Sequence, residues 1–404
     1  MLLKKIKMSV SALVCAAMLL ASLFQSDIYA GGDPADEAEY AVLTDAGESV
    51  PVSAELSVSA ESAILIEASS GAVIYEKDAH TRRPMASTTK IMTALVALCN
   101  SDIGRMVTVS ADAVGIEGSS IYLAAKEKLS MENLLYAVML ESANDAAAAV
   151  AIDVAGSLSA FAELMNAKAA ELGLCDTHFT NPHGLDDAEH YTTAAELAVI
   201  AAAAMKNDTF RTIVSTYKRV IPLGGDDGAR LLLNHNKMLK LYDGATGIKT
   251  GFTKKSGRCL VSAAERDGVE LIAVTLSAPD DWNDHSIMFD YGFGEYERIL
   301  LTREGDQAFI MPVVGGEIKF INCKNIAEAT AIVNKSGQSI THITEMKRFY
   351  YAPITEGDIL GRVMYYNNGV LIGEVPITAD YSIDRLEYRN PFLTWLSNLF
   401  NFKD

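Results

Sequence analysis

Cysteine, tryptophan and long apolar runs are all scarce in this chain of 404 residues. Its five cysteines, Cys15, Cys99, Cys175, Cys259 and Cys323, stand far apart and form no CxxC pair, which argues against a disulfide framework. The seven histidines form no HExxH, so a zinc protease of that type is not expected. Basic residues are outnumbered 34 to 52, for a formal net charge of −18. Such a chain repels phosphate backbones, so nucleic acid is not expected as its main partner. Beyond the first thirty residues no run is long and apolar enough to span a bilayer. The alanine-rich stretch 146–151 is short and flanked by Asp145 and Asp153. No internal repeat and no low-complexity tract is present. With 50% hydrophobic and 21% charged residues, the chain reads as globular, with length for two or three domains and a large core.

The N-terminus is an address. Lys4, Lys5 and Lys7 precede a mostly apolar run, 10–24, and Ile28-Tyr29-Ala30 offers a cleavage site before Gly31. This layout predicts a signal peptide over 1–30 and a mature protein working outside the cytoplasmic membrane, at its outer face or in the envelope. An uncleaved anchor is the alternative, against which the run is shorter than the ~20 residues of a spanning helix. Residues 31–56 are acidic and poor in aromatics and read as a flexible lead-in.

Apolar runs at 63–66 and 72–75 flank Ser69-Ser70-Gly71, the signal of a hairpin. Met92, Leu95, Val96 and Cys99 share a helical face. Ser130 is placed to cap a helix carrying Leu134, Leu135, Val138 and Met139. Phe161, Leu164, Met165, Lys168 and Leu172 repeat at helical spacing up to Gly173. Residues 259–263 and 270–276 read as paired strands around Asp267-Gly268. Helices between an early and a late strand set predict one sheet assembled from both ends of a domain over 57–296. From 297 to 388 short β-prone runs at 307–314, 318–321, 359–365 and 370–377 predict a second, β-rich domain. Residues 389–404 form an apolar tail.

Three motifs carry chemistry. In Ser87-Thr88-Thr89-Lys90, positions i and i+3 share a helix face, so Lys90 can reach the Ser87 hydroxyl. A serine is a weak nucleophile without a base beside it. A lysine serves as that base only if burial or a nearby cation lowers its pKa. By itself the motif also fits a capped helix start with a solvated lysine. In Ser142-Ala143-Asn144, the hydroxyl can relay a proton and the amide can bind a peptide backbone, or either residue can simply cap the next helix. In Lys249-Thr250-Gly251, the lysine and hydroxyl can hold an anionic group and the glycine can admit a substrate backbone; an ordinary strand start is the other reading.

Together, in this order and context, the three are the mark of penicillin-binding proteins and class A β-lactamases. Over about residues 58–384 the chain is more closely similar to the D-alanyl-D-alanine carboxypeptidases, the low-molecular-mass penicillin-binding proteins. The likeness includes Arg83-Pro84-Met85-Ala86, Gly173-Leu174, Thr177-His178-Phe179, His183-Gly184-Leu185-Asp186, Tyr191-Thr192-Thr193-Ala194, Asn234-His235-Asn236 and Gly247-Ile248. It implies an α/β serine-transpeptidase domain, with a central antiparallel sheet covered by helices, plus a smaller C-terminal all-β domain. It implies acylation of Ser87 by the penultimate D-alanine of a peptidoglycan stem peptide, with release of the terminal one and hydrolysis of the acyl-enzyme. Lys90 would take the serine proton, Ser142 would pass a proton to the leaving amine and Asn144 would hold the substrate amide. Lys249 and Thr250 would bind the terminal carboxylate, and the oxyanion would sit between the N–H groups of Ser87 and Phe252, next to Gly251. β-Lactam antibiotics would acylate the same serine. No metal and no cofactor is implied.

The chain departs from the pattern at His235, where some relatives carry arginine, and at Phe252, where many carry histidine. His183 is read as loop-stabilising. A β-lactamase would need a glutamate to activate water. Glu163 precedes Asn166, but in an amphipathic helix and without the leucine that the lactamase pattern shows. An endopeptidase cutting crosslinks would use the same residues, and an inactive wall-binding scaffold is the non-enzymatic alternative. In the tail, Asn390 and Pro391 open a helix on which Thr394, Ser397, Asn398 and Asn401 form a narrow polar stripe in an otherwise apolar surface. At ~14 residues it is too short to span, which predicts a segment lying on the membrane surface or packed on the β-domain.

Overall fold

The computed structural model describes residues 56–224 and 228–387. The signal segment 1–30, the lead-in apart from Leu56, and the tail 389–404 lie outside the described residues. The chain opens with β1 (Ser62–Glu67) and β2 (Val73–Lys77), paired antiparallel as the apolar runs predict. The buried Glu67 carboxylate holds their turn by accepting from the backbone and hydroxyl of both Ser69 and Ser70 at 2.5–3.0 Å.

A short 3₁₀ turn, Ala86–Thr89, leads into α1 (Lys90–Asn100). The pair β3 (Met106–Thr108) and β4 (Lys128–Ser130) follows, then α2 (Met131–Leu140), α3 (Asn144–Ala155), α4 (Leu158–Glu171), α5 (Ala194–Met205) and α6 (Asp208–Ser215). Ser130 caps α2, its Oγ accepting from Asn133 N at 3.2 Å. Ser157, Thr193 and Asn207 cap the three helices from α4 to α6 in the same way. α3 has no side-chain cap, its cap position being Ala143, so neither Ser142 nor Asn144 serves as one. Residues 146–151 of this helix are all buried, which places that stretch inside the core. Among the described residues no single helix is long and apolar enough to cross a membrane.

A hairpin, β5 (Lys218–Pro222) and β6 (Ala229–Leu233), and the single turn α7 (Met238–Leu241) precede β7 (Ala245–Thr253), β8 (Gly257–Arg266), β9 (Val269–Leu276) and α8 (Asp281–Glu295). The central sheet has the order β2-β1-β9-β8-β7 and is antiparallel throughout, so both ends of the segment do build one sheet. Successive strand residues face opposite ways. Ile64, Ile66, Val261, Ile272 and Val274 join the core formed with α1, α2, α3 and α5, while Ala63, Leu65, Leu260, Leu271 and Ala273 join Met288 and Phe289 of α8. Burial of both faces is why these strands read as unbroken apolar runs.

After α8 the chain is all β: β10 (Tyr296–Thr302), β11 (Ala308–Val314), β12 (Phe320–Asn325), β13 (Ala329–Asn334), β14 (Ile340–Met346), β15 (Tyr350–Tyr351), β16 (Ile359–Asn367) and β17 (Val370–Ala379). β10 pairs with β13, and the others form a six-stranded sheet, β14-β16-β17-β12-β11-β15, over a core that includes Ile321, Val363, Val375 and Ile377. A helix-covered antiparallel sheet followed by an all-β part is the expected fold class.

Candidate active site

β7 is one edge of the central sheet, and the Ala86–Thr89 turn packs directly on it. A Cβ at Gly251 would stand 3.0 Å from Ser87 N and 3.1 Å from both Met85 O and Thr88 N. Glycine is therefore needed there for the approach of the chain's own turn. Ser87 lies in the 3₁₀ turn and not on a regular α-helix; residues three apart eclipse in such a turn, so Lys90, the first residue of α1, stands over it.

Lys90 is fully buried. Its Nζ lies 3.0 Å from Ser87 Oγ, 2.7 Å from Asn144 Oδ1 and 2.5 Å from the carbonyl oxygen of His183. Two of these partners only accept; the serine hydroxyl alone can also donate. A neutral amine, with two hydrogens and one lone pair, satisfies all three. Burial, then the charge of Lys249, push Lys90 well below the usual lysine range, against a smaller opposing pull from Asp145. Lys249 on β7 is also buried, donates to Thr250 O at 2.9 Å, and is brought down to about 7 by burial.

Asn144 opens α3. Its Nδ2 donates to Glu117 O at 2.5 Å and its backbone N–H to Ser119 O at 2.7 Å, so one residue joins Lys90 to the loop before β4. Asp145 holds the same loop, accepting from Ser120 Oγ, Ile121 N and Leu123 N at 2.7–3.2 Å. Ser142, nearly buried, sits in the break between α2 and α3 with φ +57°, a conformation that residues with a Cβ seldom adopt.

The segment between α4 and α5 does more than stabilise a loop: its His183 carbonyl ties down Lys90. The His183 ring is kept neutral, brought to about 3 chiefly by burial. Gly184, at φ +88°, packs so tightly that a Cβ would stand 2.0 Å from Ala86 O. No motif in the sequence pointed to that carbonyl; the only signal was the His183-Gly184 pair itself. Asn234 and Asn236 are spent on backbone groups and on Ser262, and His235 between them is half-exposed, 3.4 Å from Glu141. Burial and the charge of Lys249 lower His235 against the pull of Glu141. His235, Thr250, Gly251, Phe252, Arg258, Asp281 and Trp282 line a cavity of about 310 Å³, in which Arg258 is paired with Asp281 at 2.5 Å. Glu163 is on the exposed side of α4, and Asn166 is occupied by both backbone groups of Phe179. Among the described residues no group of three or more His, Cys, Asp or Glu is placed to hold a metal ion.

A hydroxyl with a buried amine beside it, next to a second cationic group on a strand edge, is suited to acyl transfer from a substrate that carries a carboxylate. Fold and site define an active-serine hydrolase class. A family model described as D-alanyl-D-alanine carboxypeptidase matches residues 48–280. The chain is 33% identical over 336 residues to the D-alanyl-D-alanine carboxypeptidase DacF of Bacillus subtilis, covering 80% of this chain and 86% of that one. It is 29% identical to DacC of Escherichia coli, covering 81% and 85%. Among solved structures it is similar to PBP3, a peptidoglycan synthesis regulatory factor from Streptococcus pneumoniae, with TM-score 0.71 and 26% identity over 81% of this chain and all of that one. It is also similar to penicillin binding protein 5 from Haemophilus influenzae, with TM-score 0.67 and 25% identity over 82% of this chain and all of that one. The chain belongs to the D-alanyl-D-alanine carboxypeptidase family and is a serine-type peptidase of peptidoglycan metabolism, as its motifs led us to expect.

Proposed function

We propose that Ser87 is the residue acylated by the penultimate D-alanine of a stem pentapeptide. The observation that carries this reading is the triple coordination of buried Lys90, whose lone pair is left for the Ser87 proton. Lys90 Nζ takes that proton as Oγ attacks the carbonyl carbon. The oxyanion forms between the N–H groups of Ser87 and Phe252. Collapse breaks the peptide bond, and the departing D-alanine amine receives a proton through Ser142. Water then hydrolyses the ester, with Lys90 again as base. Asn144 has one amide hydrogen on Glu117 O and a second for the substrate carbonyl, and its Oδ1 orients Lys90. Lys249 and Thr250 hold the terminal carboxylate, with Gly251 keeping β7 against the nucleophile turn. β-Lactams acylate the same Ser87.

The enzyme acts on the outer side of the cytoplasmic membrane, a reading supported by the charge and hydropathy pattern of residues 1–30, with residues 389–404 lying on the membrane surface. Two measurements test the catalytic reading. Purified protein incubated with a stem pentapeptide should release free D-alanine. Penicillin treatment should leave one adduct on the peptide containing Ser87, seen by mass spectrometry. An adduct that persists in Ser87→Ala would refute the assignment.

A further inference from the structure

A buried histidine outside the three motifs is wired to the peptide that carries the nucleophile. His190 lies between α4 and α5 and is 3% exposed. The backbone N–H of Thr180 donates to its Nδ1 at 3.0 Å. A backbone N–H only donates, so Nδ1 is the unprotonated nitrogen and the ring hydrogen sits on Nε2. Nε2 is 2.8 Å from Thr89 Oγ1, which therefore accepts; the threonine hydrogen goes on to Ala86 O at 2.7 Å. The chain has one direction, from Thr180 through imidazole and hydroxyl to a single carbonyl. Burial lowers the imidazole to about 4, so this direction persists through the neutral range.

Ala86 O belongs to the same rigid unit as Ser87 N–H. In a planar trans peptide the two point in opposite directions. A carbonyl drawn toward Thr89 and His190 therefore turns Ser87 N–H the other way, toward β7, where the position of a Gly251 Cβ is 3.0 Å from Ser87 N. Ala86 has φ +48°, which a residue with a Cβ does not keep without outside restraint. The restraints are the Thr89 hydroxyl and the packing of Gly184 on Ala86 O.

We infer that His190 is a positioning residue for hydrolysis: through Thr89 and the Ala86 carbonyl it aims Ser87 N–H at the oxyanion. It touches neither substrate nor reacting atoms. The inference rests on the reading above that Ser87 N–H is one of the two oxyanion donors.

The test uses the full chain, with rates expressed per site labelled by fluorescent penicillin. Substrates are a stem-peptide ester and the thionoester in which sulfur replaces the attacked carbonyl oxygen. Sulfur accepts hydrogen bonds weakly, so a working oxyanion site shows as a preference for the oxygen ester. His190→Phe keeps ring volume but loses the ring's hydrogen bonds to Thr89 and Thr180; Thr89→Val breaks the same chain from the other end and guards against a variant that fails to fold. Each should lower kcat about 10- to 100-fold, less than or equal to the loss of a whole oxyanion donor, with KM nearly unchanged and the oxygen preference diminished. His190→Gln, whose Nε2 can still donate to Thr89, should recover most of the rate. A wild-type rate and preference in Phe and Val variants overturns the inference while leaving the oxyanion reading in place. No oxygen preference in the wild type overturns the oxyanion reading, and the inference with it. If rate loss disappears once expressed per labelled site, His190 serves only folding and the inference fails.

Discussion

Two buried lysines, both with lowered pKa values, make the pH profile of this enzyme its most informative property. Burial alone brings Lys249 to about 7, while Lys249's charge adds to burial in lowering Lys90. Lys90 therefore gives up its proton first. On the proposed mechanism the acid limb of kcat/KM belongs to deprotonation of Lys90, and the alkaline limb to loss of the Lys249 charge that holds the substrate carboxylate, both being macroscopic values of a coupled pair. With Lys249 at about 7, about half of the free enzyme carries the charge at pH 7 and about 1% at pH 9. Raising the pH from 7 to 9 should then reduce kcat/KM about 50-fold. At saturation the bound carboxylate favours the charged lysine, so the alkaline limb of kcat should lie at higher pH than that of kcat/KM. The assay is D-alanine release from a pentapeptide across pH 6–10, repeated with the C-terminal carboxylate converted to an amide. The amide should react slowly and lose the alkaline limb. A kcat/KM still rising at pH 9, or the same alkaline limb for both substrates, would refute the reasoning.

Further expectations concern the base, the backbone packing and the tail. Lys90→Arg cannot deprotonate and should lower penicillin acylation by about 10²-fold or more, with a wild-type rate ruling out the base assignment. Gly184→Ala places a Cβ 2.0 Å from Ala86 O at φ +88°, backbone against backbone, and should cost about 3 kcal/mol or more of stability; an unchanged thermal midpoint would show that this contact is not tight. Gly251→Ala meets three backbone atoms at 3.0–3.1 Å, a milder conflict, and should slow acylation roughly tenfold in a folded protein, measured by stopped-flow labelling; an unaltered rate counts against the fit of turn to strand. Deleting residues 391–404 should release the enzyme from membranes with peptide hydrolysis retained, and a truncated protein that still sediments with membranes defeats the surface-tail reading.

Much of the frame was legible because its signals are local. The strands β1, β8 and β9 are apolar runs bounded by turn residues, and Ser130 announces its helix by capping it. Strands β3 to β6, β10 and β13 to β15 were missed. All seven residues of β14 are at least partly exposed, so no buried side alternates with a polar one, and its pairing with β16 is a tertiary fact. The hairpin turn was visible in Ser69-Ser70-Gly71, but the buried carboxylate that holds it was not.

The sequence by itself brought the proposed reacting pair together, since Ser87 and Lys90 are three residues apart and any helical turn superposes them. Through the order of the three motifs it also pointed to a second lysine, a serine and an asparagine as parts of the same proposed chemistry. Only the tertiary structure decided the charge of that pair. The groups that complete Lys90 come from positions 54 and 93 residues away, and the histidine that steadies the turn from 101 residues away. Spacing can say which side chains share a face within one turn of backbone. It carries nothing about which distant carbonyl will meet an amine, or whether water will be excluded when it does, and exclusion of water is what lowers the pKa of Lys90 and suits it to the proposed role of base.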